Sequence, residues 1–192
     1  MQVNETTGVI LAGGQARRMG TDKALVPFQG RPMIQQVATA LQASGLEVVV
    51  VGRETPIAGL SVIADVPDRG RGPAVGLLSA FEFLDSSNVL LVAVDQPLLS
   101  PQTVRQLLVL PGDAVVPQAA GHPQVTCAFF RRACQEPLRE MLDSGETKLR
   151  RLLDRVDTTL VPEDTWSRWG EDGRSWMSLD TPQAVRDAEA LT

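Results

Sequence analysis

Short unbroken apolar runs, rich in Val and Ile and alternating with helical patterns, constrain this chain more than any other feature. Thr7–Leu11, Glu47–Val51, Ser61–Ile63 and Asn88–Val94 read as four strands. None alternates apolar with polar, as a half-exposed strand would. Continuous runs fit strands covered on both faces, as in a parallel sheet flanked by helices. Between them Pro32–Ala43 and Pro73–Leu84 read as helices, with Ser100–Leu110 after the fourth strand. Ser100 is placed to cap that last helix, and Pro101 suits its first position. Further on, Ala114–Pro117, Val125–Phe130 and Thr158–Val161 read as strands. Arg132–Asp143, Thr147–Arg155 and Pro182–Leu191 read as helices, and Asp164–Arg174 as a polar loop carrying Trp166 and Trp169. The expected fold class is α/β, three layers around a mainly parallel sheet. A length of 192 residues, with no linker or repeat, favours a single domain over residues 1–192.

Composition removes several function classes. The formal net charge of −5 argues against a nucleic-acid partner, which would want a basic face. His122 is the one histidine, so a multi-histidine metal site is impossible in one chain, and no G-x-S-x-G elbow accompanies it. Cys127 and Cys134 are too few for a disulfide framework, are not spaced C-x-x-C, and read as small buried residues. The N-terminus lacks a signal-peptide core and no apolar run is long enough to span a membrane, so a cytoplasmic location is expected.

In a parallel sheet the ligand sits beyond the carboxyl ends of the strands. Beyond Leu11 runs A-G-G-Q-A-R-R-M-G-T-D-K, from Ala12 to Lys23. Gly13 and Gly14 would let backbone amides come close to a ligand and would tolerate positive φ. Arg17, Arg18 and Lys23 supply charge for phosphate, and Lys23 is one of only two lysines against sixteen arginines. A Walker A loop and a dinucleotide fingerprint both fail on spacing. Asp95 ends the strand of Asn88–Val94, where a carboxylate is costly unless paired or bound to metal.

L-A-G-G-Q-A-R-R-M-G-T-D-K-A-L resembles the L-A-G-G-x-S-x-R-M-G-x-D-K-A-L signature of the molybdenum cofactor guanylyltransferases, within the Rossmann-like nucleotidyltransferases. The resemblance continues in order over nearly the whole chain. R-G-R-G-P-A-V-G at Arg69–Gly76 is similar to the family's G-P-L-A-G, and V-D-Q-P-L-L around Asp95 to its C-D-x-P-x-L. G-H-P-Q-V-T-C-A-F-F-R is similar to its H-P-x-x-A-L-x-x-R, and L-D-T-P-Q at Leu179–Gln183 to its tail.

The resemblance implies transfer of GMP from GTP to the phosphate of molybdenum-molybdopterin, with magnesium as cofactor. It implies nucleotide contacts from Leu11, Ala12, Gly13, Gly14, Lys23, Asp65 and Asp95, catalytic roles for Lys23, Asp95 and Arg17, and metal ligation by Asp95. The nucleotide part would be about residues 1–110 and the acceptor part about 111–192. In the acceptor part His122, Lys148, Arg150 and Asp180 are candidates; a backbone-bonded His122 and a solvated basic helix face are the plain alternatives. Trp166 and Trp169 could stack on a pterin, but packing over the sheet edge is the preferred reading of both. Transient contacts with cofactor-synthesis and molybdoenzyme-maturation proteins would follow. Two positions depart from the pattern. Val51-Gly52 stands where the family often has Asn, so a base contact does not carry over. Ser178 and Asp180 stand where many members have Asn, and an Asp there resembles the cytidylyltransferases that use CTP. That activity, or an inactive nucleotide-binding regulator, is the alternative reading.

Overall fold

A computed structural model describes residues 5–13, 22–54, 56–57, 59–66, 70 and 72–191. Gly14, Arg17 and Arg18 lie outside the described residues. The strands are β1 (Thr6–Leu11), β2 (Pro27–Phe28), β3 (Arg31–Pro32), β4 (Glu47–Val51), β5 (Ser61–Ile63), β6 (Asn88–Ala93), β7 (Ala114–Ala119), β8 (His122–Pro123), β9 (Cys127–Arg131) and β10 (Thr158–Val161). The α-helices are α1 (Met33–Ala43), α2 (Pro73–Phe83), α3 (Pro101–Val109), α4 (Gln135–Asp143), α5 (Glu163–Trp166) and α6 (Pro182–Glu189).

The main sheet runs β10-β7-β9-β6-β1-β4-β5, with β8 paired to β7. β1 lies parallel to both β4 and β6, β5 parallel to β4, and β10 parallel to β7. Only β9 breaks the direction in this path, antiparallel to β6 and β7. Successive residues face opposite layers, which explains the unbroken apolar runs. Ile10, Leu90 and Phe129 pack with α1 and α3, whereas Val9, Leu91 and Phe130 pack with α2 and α4. All six are fully buried. Cys127 and Cys134 are also buried, and desolvation pushes both thiols up to about 12, with Glu171 and Asp113 respectively adding to it.

The departures from the sequence reading have physical causes. Asp164–Arg174 is not an open loop: α5 and the 3-10 turn Ser167–Trp169 occupy its first half and a second 3-10 turn starts at Arg174, because Trp166 is buried against the sheet. Its indole donates to the Gln118 carbonyl (2.9 Å) and meets Trp176 edge-on at 5.3 Å. Thr147–Arg155 forms a 3-10 helix only over Leu149–Asp154. The β2–β3 and β7–β8 hairpins went unread. Each turns on a left-handed pair, Gln29-Gly30 and Ala120-Gly121, and neither shows the Asn or Asp that usually announces such a turn. The β2–β3 hairpin buries Phe28 against Met33, Leu179 and Val185, so α6 packs beside it. No helix among the described residues is long and apolar enough to cross a membrane.

Candidate functional site

The chain leaves β1 through α1 toward β4, and leaves β6 through α3 toward β7 on the opposite side. The sheet order therefore switches between β1 and β6, which is where an open α/β sheet leaves a crevice. A cavity of about 450 Å³ lies there. The ends of β1, β4 and β6 line it with Leu11–Gly13, Val51–Gly52 and Val94–Asp95. Lys23, Asp65, Thr126 and the Gly72–Pro73 start of α2 complete the part of the wall that bears on chemistry.

Two glycines set the shape of one wall. Ala12 N–H donates to the Val51 carbonyl (3.0 Å), and Gly52 N–H to that of Ile63 (3.1 Å), so the β1 and β4 ends cross closely. A Cβ on Gly13 would fall 2.9 Å from the Gly52 oxygen, and one on Gly52 would fall 2.7 Å from the Gly13 Cα. Gly52 also sits at φ +87°, whereas Gly13 is not among the positive-φ residues. Gly13 thus packs closely on Gly52 as well as lining the cavity. At Gly52 the backbone contact leaves no room for a side chain. Replacing Gly52 with alanine is expected to cost about 2 kcal/mol from the strained backbone and the clash. Urea denaturation checks the cost, and nucleotide binding should weaken alongside it.

Asp95 follows β6 in a tight turn. Val94 N–H donates to the Leu11 carbonyl (3.1 Å) and Gln96 N–H to that of Ala93 (3.2 Å). Lys23 Nζ, 72 residues away in sequence, donates to Asp95 Oδ2 at 2.8 Å. Ser178 Oγ donates to the same oxygen at 2.9 Å, and Leu179 N–H to the Asp95 backbone carbonyl at 2.8 Å. Among the described residues nothing bonds Oδ1, so one carboxylate oxygen is left for a cation. Lys23 opens a 3-10 turn, Lys23–Leu25, which Asp22 caps by accepting from Ala24 N–H (3.1 Å). Arg53 grips Asp22 with both terminal nitrogens, at 3.0 and 2.6 Å. That grip holds the Asp22 carboxyl below its usual 3.8 despite an opposing desolvation effect. A depressed carboxylate contributes stability above its unfolded value and loses it as pH falls through the folded one. The Asp22–Arg53 contact is therefore intact at neutral pH and weakens only below about pH 3.8.

The structure brings Leu11, Ala12, Gly13, Lys23, Asp65 and Asp95 to one cavity. His122, Lys148 and Arg150 are exposed and do not line it. Asp180 is half-buried and follows Leu179, which docks on Asp95. Sequence reasoning missed Asp22, Arg53 and Thr126, and it did not connect Ser178 with Asp95. The D-K pair was visible, but a partner 31 residues on carries no local signal.

The family model described as "MobA-like NTP transferase domain" matches residues 8–160. A relative from Chloroflexus aggregans, named "Probable molybdenum cofactor guanylyltransferase", is 28% identical over 96% of this chain and 93% of its own length. One from Bacillus licheniformis with the same name is 32% identical over 81% of this chain and 84% of its own. The crystal structure of molybdopterin-guanine dinucleotide biosynthesis protein A from Archaeoglobus fulgidus superposes with a TM-score of 0.82 at 22% identity, covering 96% of this chain and 97% of that one. That last likeness shows the fold.

Proposed function

The chain belongs to the MobA-like NTP transferase family, and from that premise we propose that it transfers GMP from GTP to the phosphate of molybdenum-loaded molybdopterin. The observation that carries the reading is the meeting of Lys23 and Asp95, 2.8 Å apart at a cavity on the sheet's switch point. The names of the relatives supply the base and the acceptor.

In this reading an acceptor phosphate oxygen attacks the α-phosphorus of GTP. The new O–P bond forms as the bond from the α-phosphorus to the bridging oxygen breaks, and pyrophosphate leaves with the electron pair. Such a step asks mainly for alignment and charge neutralisation. Lys23 neutralises the triphosphate and the departing pyrophosphate, with Arg17 assisting. Leu11, Ala12, Gly13 and Gly14 receive the nucleotide, and Asp65 takes the ribose or base edge. His122, Lys148, Arg150 and Asp180 are assigned to the acceptor. The donor set fits magnesium: one carboxylate with a free oxygen, beside space for phosphate oxygens, is how this hard cation is commonly held. Asp95 is the residue that would hold it, and the ion would supply charge neutralisation on the phosphate oxygens. While the nucleotide is absent, Lys23 offsets the charge of Asp95, so neither is left unpaired at the cavity.

Purified protein, magnesium and molybdenum-loaded cofactor, incubated with each of the four nucleoside triphosphates, are expected to give dinucleotide and pyrophosphate in equal amounts from GTP alone. Product from CTP without product from GTP would overturn the base assignment.

A further inference from the structure

Arg53 follows Gly52 directly, and Gly52 is the residue whose backbone presses on Gly13. Its guanidinium then reaches Asp22, the residue immediately before Lys23. Two bonds to two carboxylate oxygens fix orientation as well as distance. The Arg53 side chain is largely covered, at 16% exposed, whereas that of Asp22 is 36% exposed. Arg53 Nε is buried without a partner, so Asp22 receives every hydrogen bond this guanidinium makes among the described residues. Beyond Asp22, the Lys23–Leu25 turn is three residues long, capped by the same Asp22 and anchored by buried Ala24. Such a short turn has little helical stability of its own. The end of β4 thus sets both the glycine wall and the base from which Lys23 extends.

We propose that Arg53 is a positioning residue for nucleotidyl transfer: its two-pronged grip on Asp22 fixes the point from which the Lys23 ammonium reaches the phosphates. This rests on the reading of the site as a nucleotidyltransferase centre. Arg53 acts through Asp22 and Lys23 rather than on the substrate.

The test is a double-mutant cycle of Arg53→Ala and Lys23→Ala, with Arg53→Lys as the conservative variant. A misplaced lysine of about 1 Å predicts a loss of about a hundredfold in kcat for Arg53→Ala. Arg53→Lys should remain well below wild type, because one ammonium cannot fork onto both oxygens. In the Lys23→Ala background the further Arg53→Ala change should cost less than about twofold, since the group it positions is gone. A full additional loss in that background would overturn the proposal, as would wild-type kcat in Arg53→Ala. Should the wild-type protein make no product from any triphosphate, the functional reading falls and crystal structures decide the grip alone. In Arg53→Ala, or in Arg53→Lys if the alanine variant does not fold, Lys23 Nζ more than 4 Å from Asp95 supports it. The native 2.8 Å pairing there overturns it.

Discussion

Replacing Asp95 with alanine is expected to abolish nucleotidyl transfer, with a fall of at least about a thousandfold in kcat. The fold should survive, because Leu179 N–H bonds the Asp95 backbone carbonyl, which alanine keeps. What goes is the carboxylate that pairs with Lys23 and accepts from Ser178. Lys23 then stands unneutralised at the cavity, so triphosphate binding without a divalent cation should persist or tighten while turnover is lost. Asp95→Asn retains the shape and an acceptor for Ser178 and removes only the charge; it should be nearly as inactive. Steady-state turnover alongside metal-free nucleotide titration separates the two effects. Near-normal turnover in Asp95→Ala would remove this residue from catalysis.

The largest loss of stability is expected from Glu171→Val. Glu171 is buried, and its carboxylate accepts from four donors: Thr103 Oγ1 (2.6 Å), Ser175 Oγ, Gly173 N–H (2.8 Å) and Ser175 N–H (3.2 Å). Together these tie the segment after α5 to α3. Valine would strand four donors, three of them on the buried residues Thr103 and Ser175, each buried one costing about 1–3 kcal/mol if unpaired, with partial relief from relaxation and water. A net loss of about 4 kcal/mol is expected, or roughly 10 °C in melting temperature for a chain of this size. Glu171→Gln should lose about half as much, since its amide group turns donors toward donors. Urea unfolding measures both, and equal stability of Glu171→Val and wild type would remove the network as a fastening.

How far the sequence disclosed this molecule depended on the range of the interaction concerned. β4 and the edge strand β5 could be read to the residue, because the valines after Glu47 and the Val-Ile after Ser61 are continuous apolar runs, visible within a short window. Ser100 could be read as a cap because it sits three residues before its partner, Thr103 N–H. Packing over the sheet edge, the preferred reading of Trp166, is what the structure shows, but the β7 carbonyl that receives its indole is 48 residues away in sequence and gives no local signal. Within the cavity, Leu11, Ala12, Gly13, Lys23, Asp65 and Asp95 stood out through strand ends and resemblance. Asp22–Arg53 and Asp95–Ser178 did not, because each joins segments that only the finished sheet brings together. The reason Gly52 must be glycine was equally hidden: it lies in the backbone of another strand.

The docking of residues 178–179 on Asp95 has a consequence for biosynthesis. A ribosome delivers the amino-terminal strands well before it delivers Ser178, at about 5–20 residues per second. The sheet can collapse around the cavity in that interval, with its glycine wall in place. The carboxylate that faces Lys23 nevertheless waits for its second donor, and its turn for the Leu179 bond, until residues 178–179 have been made. Leu179 in turn is secured by burial with Phe28 and Val185, which draws the late-made α6 back onto a hairpin made early. Competence at this centre is therefore timed to the arrival of the carboxyl-terminal segment, and a nascent chain that stalls before it carries an unfinished site.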